Sequence, residues 1–275
     1  MLLFLYLLIA GLVGGFIAGL IGIGGGVVYI FVIPLALRHH FGVPENEIVQ
    51  YTVANSIFAI LFASASANLA LIKLNMFYRR QVMIIGISSI IASLLTLHFI
   101  VHTAWYSVGA FNTIIIFLMA YMIITTLRSA KMVLVLPLDS LKRWRLNMVG
   151  IASGSIAALS GLGGGVVIIP ILNSLLKIEI KKASSISSGV IMITAFVMTI
   201  YSLFKTPSHI FHPYSMGYIV FPVALTLALG VIIASPFGVK IARKLSSETI
   251  SYIYASFLAI VIVKKIVELV IVTFL

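Results

Sequence analysis

"GLGGGVVIIP", Gly161 to Pro170, has a near copy earlier in the chain: "GIGGGVVYIF", Gly22 to Phe31. Each places three consecutive glycines in an apolar run, although glycine inside a helix costs about 1 kcal/mol relative to alanine. The glycines align one for one. Gly22, Gly24, Gly25 and Gly26 match Gly161, Gly163, Gly164 and Gly165. After a shift in loop length, "TVANSIF" (Thr52 to Phe58) falls against "SISSGVI" (Ser185 to Ile191). An internal repeat of this kind governs the reading of the whole chain.

The surrounding composition sets the solvent. Of the 275 residues, 62% are hydrophobic and 9% charged, against roughly 25% charged in soluble domains. Mean hydropathy is +1.23. Apolar runs of about 20 residues, each long enough to cross a bilayer core of roughly 30 Å, recur along the length. They are continuously apolar, whereas the strands of a membrane barrel alternate. The expectation is an all-α integral membrane protein of ten helical segments. In the first half these are 2–22, 25–38, 47–73, 79–101 and 106–128. In the second they are 145–161, 164–177, 182–204, 215–243 and 249–273. Between the halves lies "RSAKMVLVLPLDSLKRWR", Arg128 to Arg145. The implied organisation is a first repeat over 1–128, a linker over 129–144 and a second repeat over 145–275.

Charge orients these segments. The net charge is +12, but the basic residues sit in short loops, which is the signature of cytoplasmic loops rather than of a nucleic-acid partner. With the linker inside, all 18 Lys and Arg except Arg38, Lys205, Lys264 and Lys265 become cytoplasmic. The N-terminus, "MLLFLYLLIAGLVGG", lacks a basic region before its apolar run, so it reads as a retained helix starting outside. The first repeat then starts outside and the second inside. Inverted repeats are a recurring plan of secondary transporters, with the substrate site at their interface near the membrane midplane.

Segments 25–38 and 164–177 are short, about 14 residues or roughly 21 Å. Each reads as a hairpin or broken helix turning at its glycines, which is tolerated at that depth only inside protein or beside a wet cavity. Glycine permits positive φ and close approach. The helix that follows presents unpaired N–H groups and a partial positive charge, an anion site made of backbone. The alternative is that the glycines only allow tight helix packing. A dinucleotide site fits poorly, since the motif follows an apolar span and no acidic residue comes about 20 residues later.

The candidate anion-binding residues are therefore Gly24, Gly25, Gly26, Gly163, Gly164 and Gly165, with Asn55, Ser56, Ser187 and Ser188 as neutral donors. The competing role for such small polar residues is helix–helix glue, at about 0.6 kcal/mol per hydrogen bond. The six acidic residues (Glu45, Glu47, Asp139, Glu179, Glu248 and Glu268) fall in loops or near helix ends, and Lys264 sits one turn before Glu268. No mid-membrane carboxylate suggests a proton relay. No Lys or Arg lies mid-membrane, so a bound anion would be held by helix termini and neutral donors.

With no cysteine, disulfides, thiol catalysis and thiolate metal sites are excluded. His98 and His102, His209 and His212, and His39 and His40 lack supporting ligands, so no metal is expected. Trp105 and Trp144 read as interfacial anchors. No HExxH, GxSxG or Walker sequence is present; no enzyme and no cofactor are expected.

Taken with the inverted repeats and the length, these motifs resemble the sulfite exporter TauE/SafE family of membrane permeases. Gly161 to Leu172, "GLGGGVVIIPIL", is similar to that family's glycine motif, and Gly22 to Phe31 to its first copy, with Phe31 where Pro170 stands and Pro34 three residues later. "ASPFGVKIARKL", Ala234 to Leu245, is similar to its small-residue helix ending in a basic cluster. The resemblance implies transport of sulfite, thiosulfate, sulfonates or related organic anions across a prokaryotic plasma membrane. The expectation is a secondary transporter working by alternating access, with a passive anion channel or a non-transporting scaffold or sensor subunit as alternatives. Its partners would be the small anion and the lipid bilayer; assembly into a homo-oligomer is left open.

Overall fold

A computed structural model describes residues 2–103, 106–129, 137–138, 141–207, 214–253, 255–256, 258–259 and 262–263. Trp105, Asp139, His209, His212, Lys264, Lys265, Glu268, most of the linker and most of segment 249–273 lie outside the described residues. The helices are α1 (Leu2–Ile21), α2 (Gly26–Phe41), α3 (Ile48–Lys73), α4 (Arg79–Thr96), α5 (Val108–Ser129), α6 (Arg143–Ser160), α7 (Gly165–Pro170), α8 (Ile180–Phe204) and α9 (Phe221–Lys244). α4 continues as a π-helical turn over Leu97–Val101, and α7 as another over Ile171–Leu175. Helix resumes at 247–253.

Among the described residues six helices are long and apolar enough to cross a membrane: α1, α3, α4 with its π turn, α5, α8 and α9. α2 and α7 are the shorter apolar pieces. The chain is a multi-pass, all-α membrane protein, as its composition implies. At 11 residues including the π turn, the α7 segment reaches only about 16 Å. Pro170 ends its regular part, because proline has no N–H to continue the ladder.

α3 and α8 form the centre. Val49 to Ile60 of α3 is buried on every side, with Gln50, Thr52, Asn55 and Ser56 buried among apolar residues. A helix buried all round belongs to the core. The remaining helices pack across the two halves: α1 lies along α9, α6 along α4, α3 also on α9 and α8 also on α4. Each contact thus recurs with the halves exchanged.

The seams are made of small residues. Gly11, Gly15 and Gly19 recur every fourth residue on α1 and face the α9 backbone at Leu227, Val231 and Ser235. Gly150 and Gly154 on α6 face the α4 backbone at Ile85 and Ser89. Lipid offers no hydrophobic driving force between helices, so close backbone packing takes its place.

Two features differ from the sequence expectation. Residues 215–220, read as the start of a helix, form a hairpin instead: β1 (Ser215–Met216) pairs antiparallel with β2 (Ile219–Val220). Gly217 supplies its positive φ of 55°, and α9 starts only at Phe221, where Pro222 in the first turn lacks a donor that would be unpaired anyway. Arg38, an exception to the charge asymmetry, is paired with Glu45 at 2.8 Å; the pair leaves that loop without net positive charge.

The seams give a direct prediction. A Cβ at Gly15 would lie 2.7 Å from Val231 Cα, and one at Gly154 2.8 Å from Ser89 Cα. Gly15→Ala and Gly154→Ala should each lose about 1–3 kcal/mol of stability through overpacking, although alanine is the better helix former. Gly109→Ala, where the nearest atom is 3.8 Å away, should be neutral or stabilising. Thermal unfolding in detergent reads all three.

Candidate functional site

Two helix breaks define the middle of the bundle. α1 ends at Ile21, and Gly22, Gly24 and Gly25 follow with φ of 82°, 86° and 75°. α6 ends at Ser160, and Gly161, Gly163 and Gly164 follow with φ of 66°, 85° and 74°. The same left-handed sequence is executed twice, in a region other residues enter only with strain. Gly25 and Gly164 are the N-caps of α2 and α7 and offer no side-chain cap. The hydrogen bonds around the turns run from Gly22 N–H to Ala18 O, Gly161 N–H to Ala157 O, Leu162 N–H to Ser160 Oγ, Val28 N–H to Gly25 O, and Val167 and Ile168 N–H to Gly164 O. None of these uses the N–H of Gly25, Gly26, Gly164 or Gly165. Helix starts of this kind are where anions bind.

The two breaks meet. A Cβ at Gly26 would lie 2.8 Å from Gly161 O, and one at Gly165 2.9 Å from Gly22 O. Each break is also tied to the opposite half by a serine. Ser56 Oγ of α3 donates to Gly161 O at 2.7 Å, and Ser187 Oγ of α8 donates to Gly22 O at 2.8 Å. Both carbonyls belong to helix ends whose next-turn donors are missing, so the serines satisfy acceptors that would otherwise be buried unpaired. Ile60 of α3 and Ile191 of α8 both face Gly24 and Gly163.

These exchanges set a register that the sequence match misses by two residues. Ser56 corresponds to Ser187, Ile60 to Ile191, and Val53, which faces Gly161, to Ser184, which faces Gly22. The sequence match instead set Asn55 against Ser188. It followed residue type, whereas the contacts follow which face of each helix meets a break.

The ten candidate residues divide accordingly. Gly24, Gly25, Gly26, Gly163, Gly164 and Gly165 come together with Ser56 and Ser187. Asn55 is turned toward the hairpin: its Nδ2 donates to Tyr51 O at 2.7 Å and Tyr218 O at 3.0 Å, and its Oδ1 accepts from Val220 N–H at 2.9 Å. Ser188 differs from the others, for its carbonyl accepts from Asn68 Nδ2 at 3.0 Å while its buried hydroxyl has no partner.

Ser188 lines a narrow cleft that also touches Gly19, Gly22, Ser184, Lys181 and Arg243. Its volume is about 30 Å³, room for about two waters, so an oxyanion needs it to widen. Lys181 Nζ donates to Arg243 O at 3.3 Å at its mouth. At the position that corresponds to Lys181 in the same exchange, Gln50 Nε2 donates to Val101 O at 3.0 Å. Tyr218 packs edge-on against Tyr51 at 5.0 Å and at a tilt against His102 at 4.8 Å, and His102 also meets Tyr201 at 5.7 Å. Burial first, then the charges of Lys205 and His98, lowers the His102 pKa to about 4. The imidazole is therefore neutral at pH 7, and this aromatic cluster carries no cation at its centre.

Sequence reasoning passed over Tyr218, Tyr51 and Tyr29, because aromatic residues in apolar runs read as filling. Tyr29 deserves its place for a specific reason: its buried hydroxyl has no partner and stands beside Gly25. Lys181 and Arg243 were visible only as markers of topology. Glu47, expected at a helix end, is indeed there, but it is buried near Tyr51 and Tyr218.

Comparison with known proteins identifies the family. The family model described as "Sulfite exporter TauE/SafE" matches residues 7–265. A probable membrane transporter protein of Methanocaldococcus jannaschii is 30% identical over 255 residues, covering 92% of each chain. A probable membrane transporter protein of Haemophilus influenzae is 27% identical over 267 residues, covering 92% of this chain and 94% of its own. No solved structure matches significantly. The chain belongs to the sulfite exporter TauE/SafE family, whose members are membrane transporters and not enzymes.

Proposed function

We propose that the chain is a secondary transporter that carries a small sulfur-containing anion, such as sulfite, thiosulfate or a sulfonate, across a prokaryotic plasma membrane by alternating access. Residues 1–128 and 145–275 act as inverted repeats joined by the cytoplasmic linker 129–144, with the N-terminus outside. The observation that carries this reading is a matched set of contacts supporting an unmatched pair of faces. Ser56 and Ser187 make the same bond in exchange, yet a cleft lined by Lys181 and Ser188 reaches Gly22, whereas the turn of α3 that faces Gly161 carries Asn55, bonded to the Tyr218–Val220 hairpin. Two equivalent half-sites in unequal states are what rocking of one repeat against the other requires.

In this mechanism the basic mouth, Lys181 and Arg243, draws an anion from the cytoplasm, since charges lining a cleft raise the local counter-ion concentration. Ser188 offers the first free donor. The N–H groups opening α2 and α7 hold the anion where the breaks part, with Ser56 and Ser187 beside them. Asn55 serves the seal: it holds Tyr218 and Val220 until the outer face opens. The site holds its anion with neutral donors alone, which suits release on either side, because no buried cation is left unpaired when the anion departs.

Two outcomes follow. Ser188→Ala removes a hydroxyl with no partner, so stability should be unchanged while the KM for sulfite counterflow in proteoliposomes rises by about tenfold or more, the value of a hydrogen bond to a charged group. An unchanged KM would remove Ser188 from the site. Gly164→Val puts a β-branched residue at φ 74° with its Cβ 2.8 Å from Ser153 O; exchange should be lost while the protein still reaches the membrane. Flux without saturation or counterflow in the wild-type chain would instead identify a passive channel.

A further inference from the structure

A second cavity lies away from this site, on the outer surface of the bundle between α3 and α9. Its volume is about 390 Å³, and its walls include Leu69, Ile232, Pro236 and Ser66, with Lys73 and Lys240 at one end. We infer that it is a binding site for one anionic phospholipid, with the headgroup phosphate between the two lysines and an acyl chain along the groove.

The groove has a local cause. Pro236 has no N–H, so the carbonyl of Ile232 one turn earlier loses its helical donor. Ser66 Oγ of α3 donates to that carbonyl at 3.1 Å. Ile232, Pro236 and Ser66 thus form a satisfied polar floor beneath an apolar channel that opens sideways. Leu69 is 65% exposed and Ile232 43%, as expected of residues that face hydrocarbon.

The charge at the end of the channel selects the occupant. Lys73 is the last residue of α3 and Lys240 stands in the last turns of α9. Both are exposed, and among the described residues neither has an ion-pair partner. Lys240 Nζ lies 5.7 Å from the Phe237 ring, a contact that leaves its charge intact. A lone lysine near a helix end would only snorkel. Two lysines from two helices around one apolar channel form instead the basic interhelical pocket that holds anionic headgroups. From Lys240 to Ile232 is eight residues, or about 12 Å of helix, close to the roughly 15 Å depth of one leaflet's hydrocarbon. A small hydrated oxyanion gains nothing from such walls, so the cavity is distinct from the transport cleft. Because α3 and α9 come from different halves, a lipid seated here bridges them.

The test uses the full chain in detergent, titrated with phosphatidylglycerol or phosphatidylcholine and examined by native mass spectrometry. It is independent of any transport assay, so the transport reading stands whatever its result. The wild type should retain one phosphatidylglycerol in preference to phosphatidylcholine. Lys73→Gln with Lys240→Gln should reduce that preference about tenfold or more, while Lys142→Gln with Arg143→Gln, at exposed positions elsewhere, should leave it intact. Leu69→Trp, which fills the channel without changing charge, should also reduce retention, and inorganic phosphate should not compete. Equal loss in the Lys142/Arg143 variant would show only general surface attraction and overturn the site. A dimer dissolved by Leu69→Trp and indifferent to both lysines would assign the groove to a second copy of this chain and overturn it as well. Unchanged thermal unfolding of each lipid-free variant confirms that the fold is not the variable.

Discussion

Two backbone carbonyls, those of Gly22 and Gly161, hold the architecture together. Each lies at the end of a helix broken inside an apolar bundle, where an unpaired acceptor costs several kcal/mol. Each is satisfied by a serine hydroxyl from the opposite half, Ser187 and Ser56. Neither half supplies its own partner. A helix can break inside the bundle here only because the other half is present, so the breaks and the pairing of the halves have a single origin.

Small residues let that pairing happen at close range. The glycines of α1 and α6 bring backbones of opposite halves into contact, and the long central helices α3 and α8 carry the serines into reach. The breaks leave helix starts without side-chain caps. Packing, satisfaction of the backbone and the proposed anion site are one arrangement. The asymmetry comes from the loop before α9. Its hairpin delivers Tyr218 against Tyr51 and His102, and Asn55 fastens it. Beside Gly22, by contrast, Lys181 and Arg243 border the cleft.

Much of this was legible in the residues. The apolar runs located α1, α3, α4, α5 and α8 closely, because a membrane core forces near-continuous hydrophobicity. The paired GxGGG motifs announced both breaks. Gly217 and Pro222 together mark a turn followed by a helix start, but the apolar stretch around them hid the hairpin at 215–220. The Tyr218 and Val220 partners of Asn55 were not legible, since they lie in a loop more than 160 residues away in sequence. The match of Asn55 with Ser188 failed by two residues because similar residue types do not report which face of a helix meets a break. Lys181 and Arg243 carried a topological signal so strong that their placement around a cleft was masked by it.

The most direct measurement uses the absence of cysteine. Ser184 and Val53 occupy corresponding positions beneath Gly22 and Gly161. Single variants Ser184→Cys and Val53→Cys, in membrane vesicles of each orientation, would be labelled with a membrane-impermeant maleimide with and without sulfite. Alternating access between inverted repeats predicts that Ser184→Cys is labelled only from the cytoplasmic face and Val53→Cys only from the external face, with sulfite shifting the two rates in opposite directions. Labelling of both from one face, or rates that rise and fall together, would contradict the account.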